Sequence, residues 1–200
     1  MKTNFPNGAP TISTRPAGSP SQTPRWARLG SLSRVLSAAL VLAAVTGCDR
    51  DKLPARLTAV KSVDDRFTIK VGDRVVQVQV VALEHELQQG LMYRQSMGAD
   101  EGMLFVFPQP RQQGFWIHNT TLPLDIGYFD PAGELKEIYP MYPLDERTVP
   151  SHSKNIQFCL EMSQGWYQRA GVRPGAKIDL GVVADALRAR GLRPEGAGLK

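Results

Sequence analysis

Polar and apolar positions alternate most cleanly at Val75-Val76-Gln77-Val78-Gln79-Val80-Val81. Val76, Val78 and Val80 share one face and Gln77 and Gln79 the other, a two-residue period that predicts a half-buried strand. Leu83, Leu87 and Leu91 then recur at every fourth position, with Arg94 closing the stripe. Glu84 and Glu86 fall in the first turn, where negative charge favours a helix dipole, so a short helix is predicted over 83–95. Gly90 lies on its inner stripe, which points to close packing.

Further on, 103–107 reads as a short apolar strand broken by Pro108-Gln109-Pro110. Two more strands, 114–120 and 124–130, are joined near Pro123. Pro131-Ala132-Gly133 makes a turn, and 135–141 continues the sheet. After a proline-containing loop, 155–162 alternates again. Ile156, Phe158, Leu160 and Met162 point inward there, and Asn155, Gln157, Cys159 and Glu161 outward. A helical turn at 165–170, a last strand at 177–180 and a helix over 182–190 complete the pattern. About seven short strands with one or two short helices predict a mainly β fold, a β-sandwich or distorted barrel. The segment 183–200, ending in Gly and Pro residues, reads as a loose tail.

The N-terminal part follows different rules. Residues 1–30 are rich in Pro, Ser, Thr and Gly and show no hydrophobic period, which suits a leader, or translation that starts near Leu29 or Leu32. Arg34 precedes an uncharged apolar run over 35–45. That run falls short of the ~20 residues a spanning helix needs and has the length of a signal-peptide core. It ends in Val45-Thr46-Gly47-Cys48, which resembles the lipobox of bacterial lipoproteins. The resemblance implies cleavage before Cys48 and lipid on its thiol, with the membrane as partner. Several acyl chains hold a protein firmly at about 0.8 kcal/mol per buried CH₂. Asp49 resembles the signal that keeps such a lipoprotein at the inner membrane. The expected organisation is leader and signal peptide over 1–47, tether over 48–65, one β domain over 66–182 and the tail over 183–200, lipid-anchored on the periplasmic side.

This division changes how charge is read. The formal charge is +5, but Lys2, Arg15, Arg25, Arg28 and Arg34 lie before Cys48 with no acidic residue among them. From Cys48 onward the chain is formally neutral, with no basic stripe interleaved with aromatics, which argues against a nucleic-acid partner. Cys48 and Cys159 are the two cysteines. Lipid on Cys48 leaves Cys159 a lone thiol, and no CxxC supports redox exchange.

Gly114-Phe115-Trp116-Ile117-His118-Asn119-Thr120-Thr121-Leu122-Pro123-Leu124-Asp125-Ile126 is similar to the hallmark of a prokaryotic family catalogued as domain of unknown function 192. That hallmark runs approximately Phe-Trp-Met-Lys-Asn-Thr, two residues, then Pro-Leu-Asp. Four further blocks agree in order: Gly90-Leu91-Met92-Tyr93-Arg94, Gly102-Met103-Leu104-Phe105-Val106-Phe107, Leu160-Glu161 with Gly165, and Gly171-Val172. The chain departs at Ile117, where methionine is usual, at His118, where lysine is usual, and at Gln157-Phe158-Cys159. The resemblance implies a compact, mainly β domain of sandwich or jelly-roll type, often exported, with no established activity.

Candidate site residues come from these blocks. Phe115 and Trp116 must point to opposite faces of a strand, and Trp116 would share a face with His118. Trp116 reads as packing or as an aromatic pocket wall. Asn119 and Asp125 flank the 120–123 connection, where short polar side chains cap backbone groups. Arg94 and Glu161 could pair. The candidate pocket is therefore Arg94, Trp116, His118, Asn119, Asp125 and Glu161. His85, His118 and His152 lack ligand spacing, and neither a metal nor a cofactor is expected. The reading is a non-enzymatic binding or accessory module for an unknown small molecule or envelope protein. The alternative is an envelope hydrolase or transferase using Asp125, Glu161 and His118, which requires those three to converge. If the anchor reading holds, wild-type protein fractionates with membranes and carries lipid mass on Cys48. Cys48→Ser then releases it or leaves the precursor uncut, whereas wild-type protein in the soluble fraction without lipid mass would refute the anchor.

Overall fold

A computed structural model describes residues 59–200. Cys48, its apolar run and most of the expected tether lie outside the described residues.

Strands β1 (Phe67–Val71) and β2 (Arg74–Val81) form an antiparallel hairpin. Helix α1 (Glu84–Gln89) then carries the chain to β3 (Glu101–Arg111), which pairs with β2 in parallel. There follow β4 (Gly114–Phe115), β5 (Leu124–Phe129), β6 (Leu135–Met141), β7 (Val149–Pro150) and β8 (Ile156–Ser163). Helices α2 (Trp166–Ala170) and α3 (Leu180–Ala189) and a 3₁₀ turn at Pro194–Ala197 end the chain. Six strands make one mixed sheet in the order β1-β2-β3-β8-β5-β6, and β4 and β7 make a second, two-stranded one. The fold is mainly β and is not a closed barrel.

The main sheet has a hydrophobic core on each face. One core packs Val76, Val78, Val80, Leu104, Phe158 and Leu160 under α2 and α3. The other packs Val81, Phe105, Ile126, Tyr128 and Cys159 with Leu91, Ile117 and Phe115. The alternation in β2 therefore marks one core correctly, yet Gln79 on the opposite face is also buried. In β8 the expected outward residues Gln157, Cys159 and Glu161 are all buried: Cys159 packs in the second core, and Gln157 bonds to Ala197 O of the first, while Ile156, expected to share a face with Phe158, packs in the second.

Several boundaries differ from the pattern. The helix expected over 83–95 stops at Gln89, because Gly90 turns to φ +49° as its C-cap. A Cβ on Gly90 would lie 3.3 Å from Phe105 Cζ, so the glycine also permits close approach. Pro108 and Pro110 do not end β3. They fall where its register with β8 shifts, between Val106 and Arg111, and a bulge tolerates residues that cannot donate to the ladder. The strand expected over 177–180 is reduced to isolated bridges from Lys177 and Ile178.

The segment 183–200, expected to be a loose tail, is packed. Asp179 accepts a hydrogen bond from Val182 N and caps α3, whose Val183, Ala184, Ala186 and Leu187 enter the core. Ala197 and Leu199 are buried as well. Arg190, at the end of α3, reaches under the sheet edge. It donates to Val80 O and, through both terminal nitrogens, to the carboxylate of Glu86 on α1. Glu86 also accepts from Ala82 N and Leu83 N at 3.2 and 3.1 Å, so one carboxylate starts α1 and ties it to the C-terminus.

Burial pushes the Glu86 carboxyl up, but Arg190 and the two amides outweigh it and hold it below the usual range. Its folded-state value lies below its unfolded one, so the stability it contributes is present above about pH 4.3 and is lost as pH falls through the lowered value. Breaking a buried pair strands a charge, so Arg190→Met should cost about 3–5 kcal/mol at pH 7. Adding Glu86→Gln should recover part of that loss. Urea denaturation of the three proteins measures both effects, and a single variant as stable as wild type would rule out a buried, paired carboxylate.

Candidate functional site

The strand expected over 114–120 lasts two residues. Gly114 and Phe115 pair with Pro150 and Val149, and proline has no N–H to extend the ladder. Beyond Phe115 the chain leaves the sheet and crosses the second core as a loop to Leu124. Beneath this loop, against the end of α1, lies a cavity of about 130 Å³. Leu91, Phe105, Phe107, Phe115, Ile117 and Leu124 supply apolar walls. Phe115 stands edge-on to Phe105, with ring centroids 4.8 Å apart.

Glu161 borders this cavity from the centre of the sheet. It sits on β8 between Met103 of β3 and Ile126 of β5. Its side chain is buried, and Oε2 has no hydrogen-bond partner. A buried unpaired carboxylate loses hydration without compensation. Desolvation accordingly raises its pKa to about 8. Around neutral pH the group is mainly a carboxylic acid, able to donate one hydrogen bond, or to surrender its proton when a cation takes the proton's place.

Positive φ at non-glycine residues is concentrated next to the 116–124 loop. Among the described residues, three non-glycines have positive φ: Tyr93 (63°), Asn119 (49°) and Leu144 (59°). They meet at one place. Tyr93 N donates to Asn119 O at 2.8 Å, Asn119 Nδ2 donates to the Tyr93 hydroxyl at 2.9 Å, and Leu144 N donates to Thr120 O at 3.3 Å. Such conformations cost about 1–3 kcal/mol each and concentrate at ligand clamps and active sites. Trp116, half exposed, stacks on His118 with centroids 4.7 Å apart, and His118 Nδ1 is 2.8 Å from Glu146 Oε1.

Of the six candidates, Trp116, His118 and Glu161 border the cavity, and Asn119, which does not, bonds to the Tyr93 hydroxyl outside it. Arg94 does not pair with Glu161: its guanidinium donates to Gln79 Oε1. Asp125 does not border the cavity and caps a different backbone from the one expected. It accepts from Gly165 N at 2.7 Å, at the start of α2, under a desolvation that raises its pKa. It points with Gly127 to the α2 side of the sheet, where Gly127 meets Tyr167. Asp125, Glu161 and His118 therefore do not converge. Trp116 is not core packing, since half of it faces solvent. Among the described residues no group of three or more His, Cys, Asp or Glu side chains could hold a metal ion.

Sequence reasoning missed Phe105, Phe107 and Leu91 as cavity walls, and the positive φ of Tyr93 and Leu144. The apolar walls were visible only as generic core positions. Positive φ at tyrosine or leucine leaves no mark in a sequence.

The pattern of the DUF192 family, described as "Uncharacterized ACR", matches residues 67–180. The chain belongs to this family. Two solved structures resemble this DUF192 chain. One, from Sinorhizobium meliloti, is described as a candidate transcription regulator. It is 30% identical, with a TM-score of 0.54 over 57% of this chain and 92% of that one. The other, from Novosphingobium aromaticivorans, is a protein of unknown function. It is 28% identical, with a TM-score of 0.54 over 57% of this chain and 84% of that one. No curated protein matches this DUF192 chain.

Glu161 binds its proton more tightly in the folded chain than in the unfolded one. The fold therefore loses stability as pH rises from about 4.3, where the unfolded group ionises, to about 8. Glu161→Gln should remove this loss, which is on the order of 5 kcal/mol at full ionisation. It should raise the melting temperature at pH 8 and change it little at pH 4.5. An equal effect at both values would mean that Glu161 is hydrated or paired.

Proposed function

We propose that this domain is a small-molecule binding module, held at the periplasmic face of a bacterial membrane by lipid on Cys48. The observation that carries the binding role is the unpaired, buried carboxyl of Glu161 beside a cavity with aromatic and aliphatic walls and a polar mouth. A site built to hydrogen-bond an incoming group leaves its own polar atom unsatisfied when empty. Tyr93 and Asn119, both with positive φ, adjoin the cavity-lining Met92 and His118 in sequence. Apolar walls with a few placed polar groups are the usual make-up of a ligand pocket. A binding role is favoured over the hydrolase reading because Asp125, which that reading needs beside Glu161 and His118, caps α2 on the other side of the sheet.

The export reading rests on the apolar run, Val45-Thr46-Gly47-Cys48 and the polar tether behind it. Asp49 favours retention at the inner membrane. A regulator role like that ascribed to the Sinorhizobium relative would call for a basic face, and formal neutrality from Cys48 onward argues against a nucleic-acid partner.

Protein-observed NMR with a panel of small fragments bearing one polar head tests the binding role. Perturbed amides should cluster at 88–91, 105–107 and 115–118. Shifts scattered over the surface, or confined to the α3 side of the sheet, would refute it.

A further inference from the structure

We propose that the cavity takes a small primary ammonium ion, whose N–H groups bind the Glu161 carboxylate while its alkyl part lies against Phe105, Phe115 and Leu91. This inference rests on the cavity being a binding site and names the chemistry of its occupant. Three observations lead to it. The side chain at the end of the cavity is an acceptor when ionised, it is buried, and nothing in the fold donates to its Oε2. Arg94, the cation that the sequence offers as its partner, is engaged by Gln79. Aromatic rings line the same space, and their faces attract cations.

The missing partner is a donor, which selects among cations. A primary ammonium brings three N–H groups, whereas a quaternary one brings none. Size also selects. A volume of about 130 Å³ is close to the ~150 Å³ of a dry apolar cavity that holds benzene. It suits an ammonium on a short alkyl chain and excludes a bulky headgroup.

Proton balance follows from the chemistry. Below the folded-state value of about 8, Glu161 is an acid. The amine arrives already protonated, so the Glu161 proton passes to solvent as the ion pair forms. The other titratable groups that bear on Glu161 are Cys159 on its own strand, Tyr128 on β5, Tyr167 on α2 and His118 on the loop. The end of α1 presents Gln88 and Gln89 to the cavity, and β3 presents Phe105 and Phe107. Both thiol and phenols are pushed up by burial and stay neutral over the range of interest.

The test is calorimetric and NMR titration of the full-length protein, in non-ionic detergent, with n-butylamine, tetramethylammonium, n-butanol and butyrate. n-Butylamine should bind at least about tenfold more tightly than the other three, one hydrogen bond to a charged group being worth that much. Its apparent affinity should rise roughly 50-fold from pH 6 to pH 8, with about one proton released per amine bound at pH 6. Glu161→Gln should abolish both the proton release and the preference over n-butanol. Butanol or butyrate binding as well as the amine, or a pH dependence that survives Glu161→Gln, overturns the ammonium assignment while leaving the pocket. Cavity resonances unmoved by any of the four probes overturn the pocket as well.

Discussion

Covering the central strand β8 on both faces is the constraint from which the rest of the molecule follows. Its neighbours β3 and β5 close its edges, α2 and α3 cover one face, and the 116–124 loop and α1 cover the other. An alternating strand normally puts its polar residues in water. Here they are shut in, and each needs an internal answer. Gln157 finds one, donating to Phe107 O and Ala197 O. Cys159 needs none, since a thiol packs as a small apolar group. Glu161 has no answer at Oε2, and its carboxyl is driven towards the neutral form. The local cost is large against a net stability of about 5–15 kcal/mol. The group stands beside the cavity, which is why the proposed binding role is placed there.

The wall opposite Glu161 is held from a distance. Leu87 and the residues up to Met92 border the cavity, and α1, which carries the first of them, has only six residues, too few to be stable alone. Its start is fixed by Glu86 on the Ala82 and Leu83 amides, and Glu86 is fixed by Arg190 from the end of α3. The C-terminal helix thus supports the site without touching it. This also accounts for the packing of residues beyond the matched 67–180 segment, which belong to the same core.

Much of the sheet was legible because strand patterns are local. Val76, Val78 and Val80 marked β2, the 135–141 segment matched β6 residue for residue, and the family blocks gathered Glu161, Trp116 and His118 into one candidate list. What was not legible depends on long-range covering. Periodicity divides residues into two faces but does not say whether the second face meets water, so Gln79 and Glu161 were placed outward. Arg94 and Glu161 looked like partners by charge alone, and topology separated them. Asp125 looked like a cap for its own loop because local pairings are the ones a sequence suggests; its acceptor serves Gly165, forty positions on. The glycine and proline content of the last residues suggested looseness, and an arginine at position 190 gave no sign that it would find a carboxylate 104 residues away.

The central claim is that the Glu161 carboxyl is desolvated and unpaired when the cavity is empty. Its side-chain ¹³C resonance, followed by NMR from pH 4 to pH 10 in the absence of any amine, tests this most directly. The account predicts a single titration centred near pH 8. A midpoint between about 4 and 5, the ordinary range of a hydrated glutamate, would contradict it.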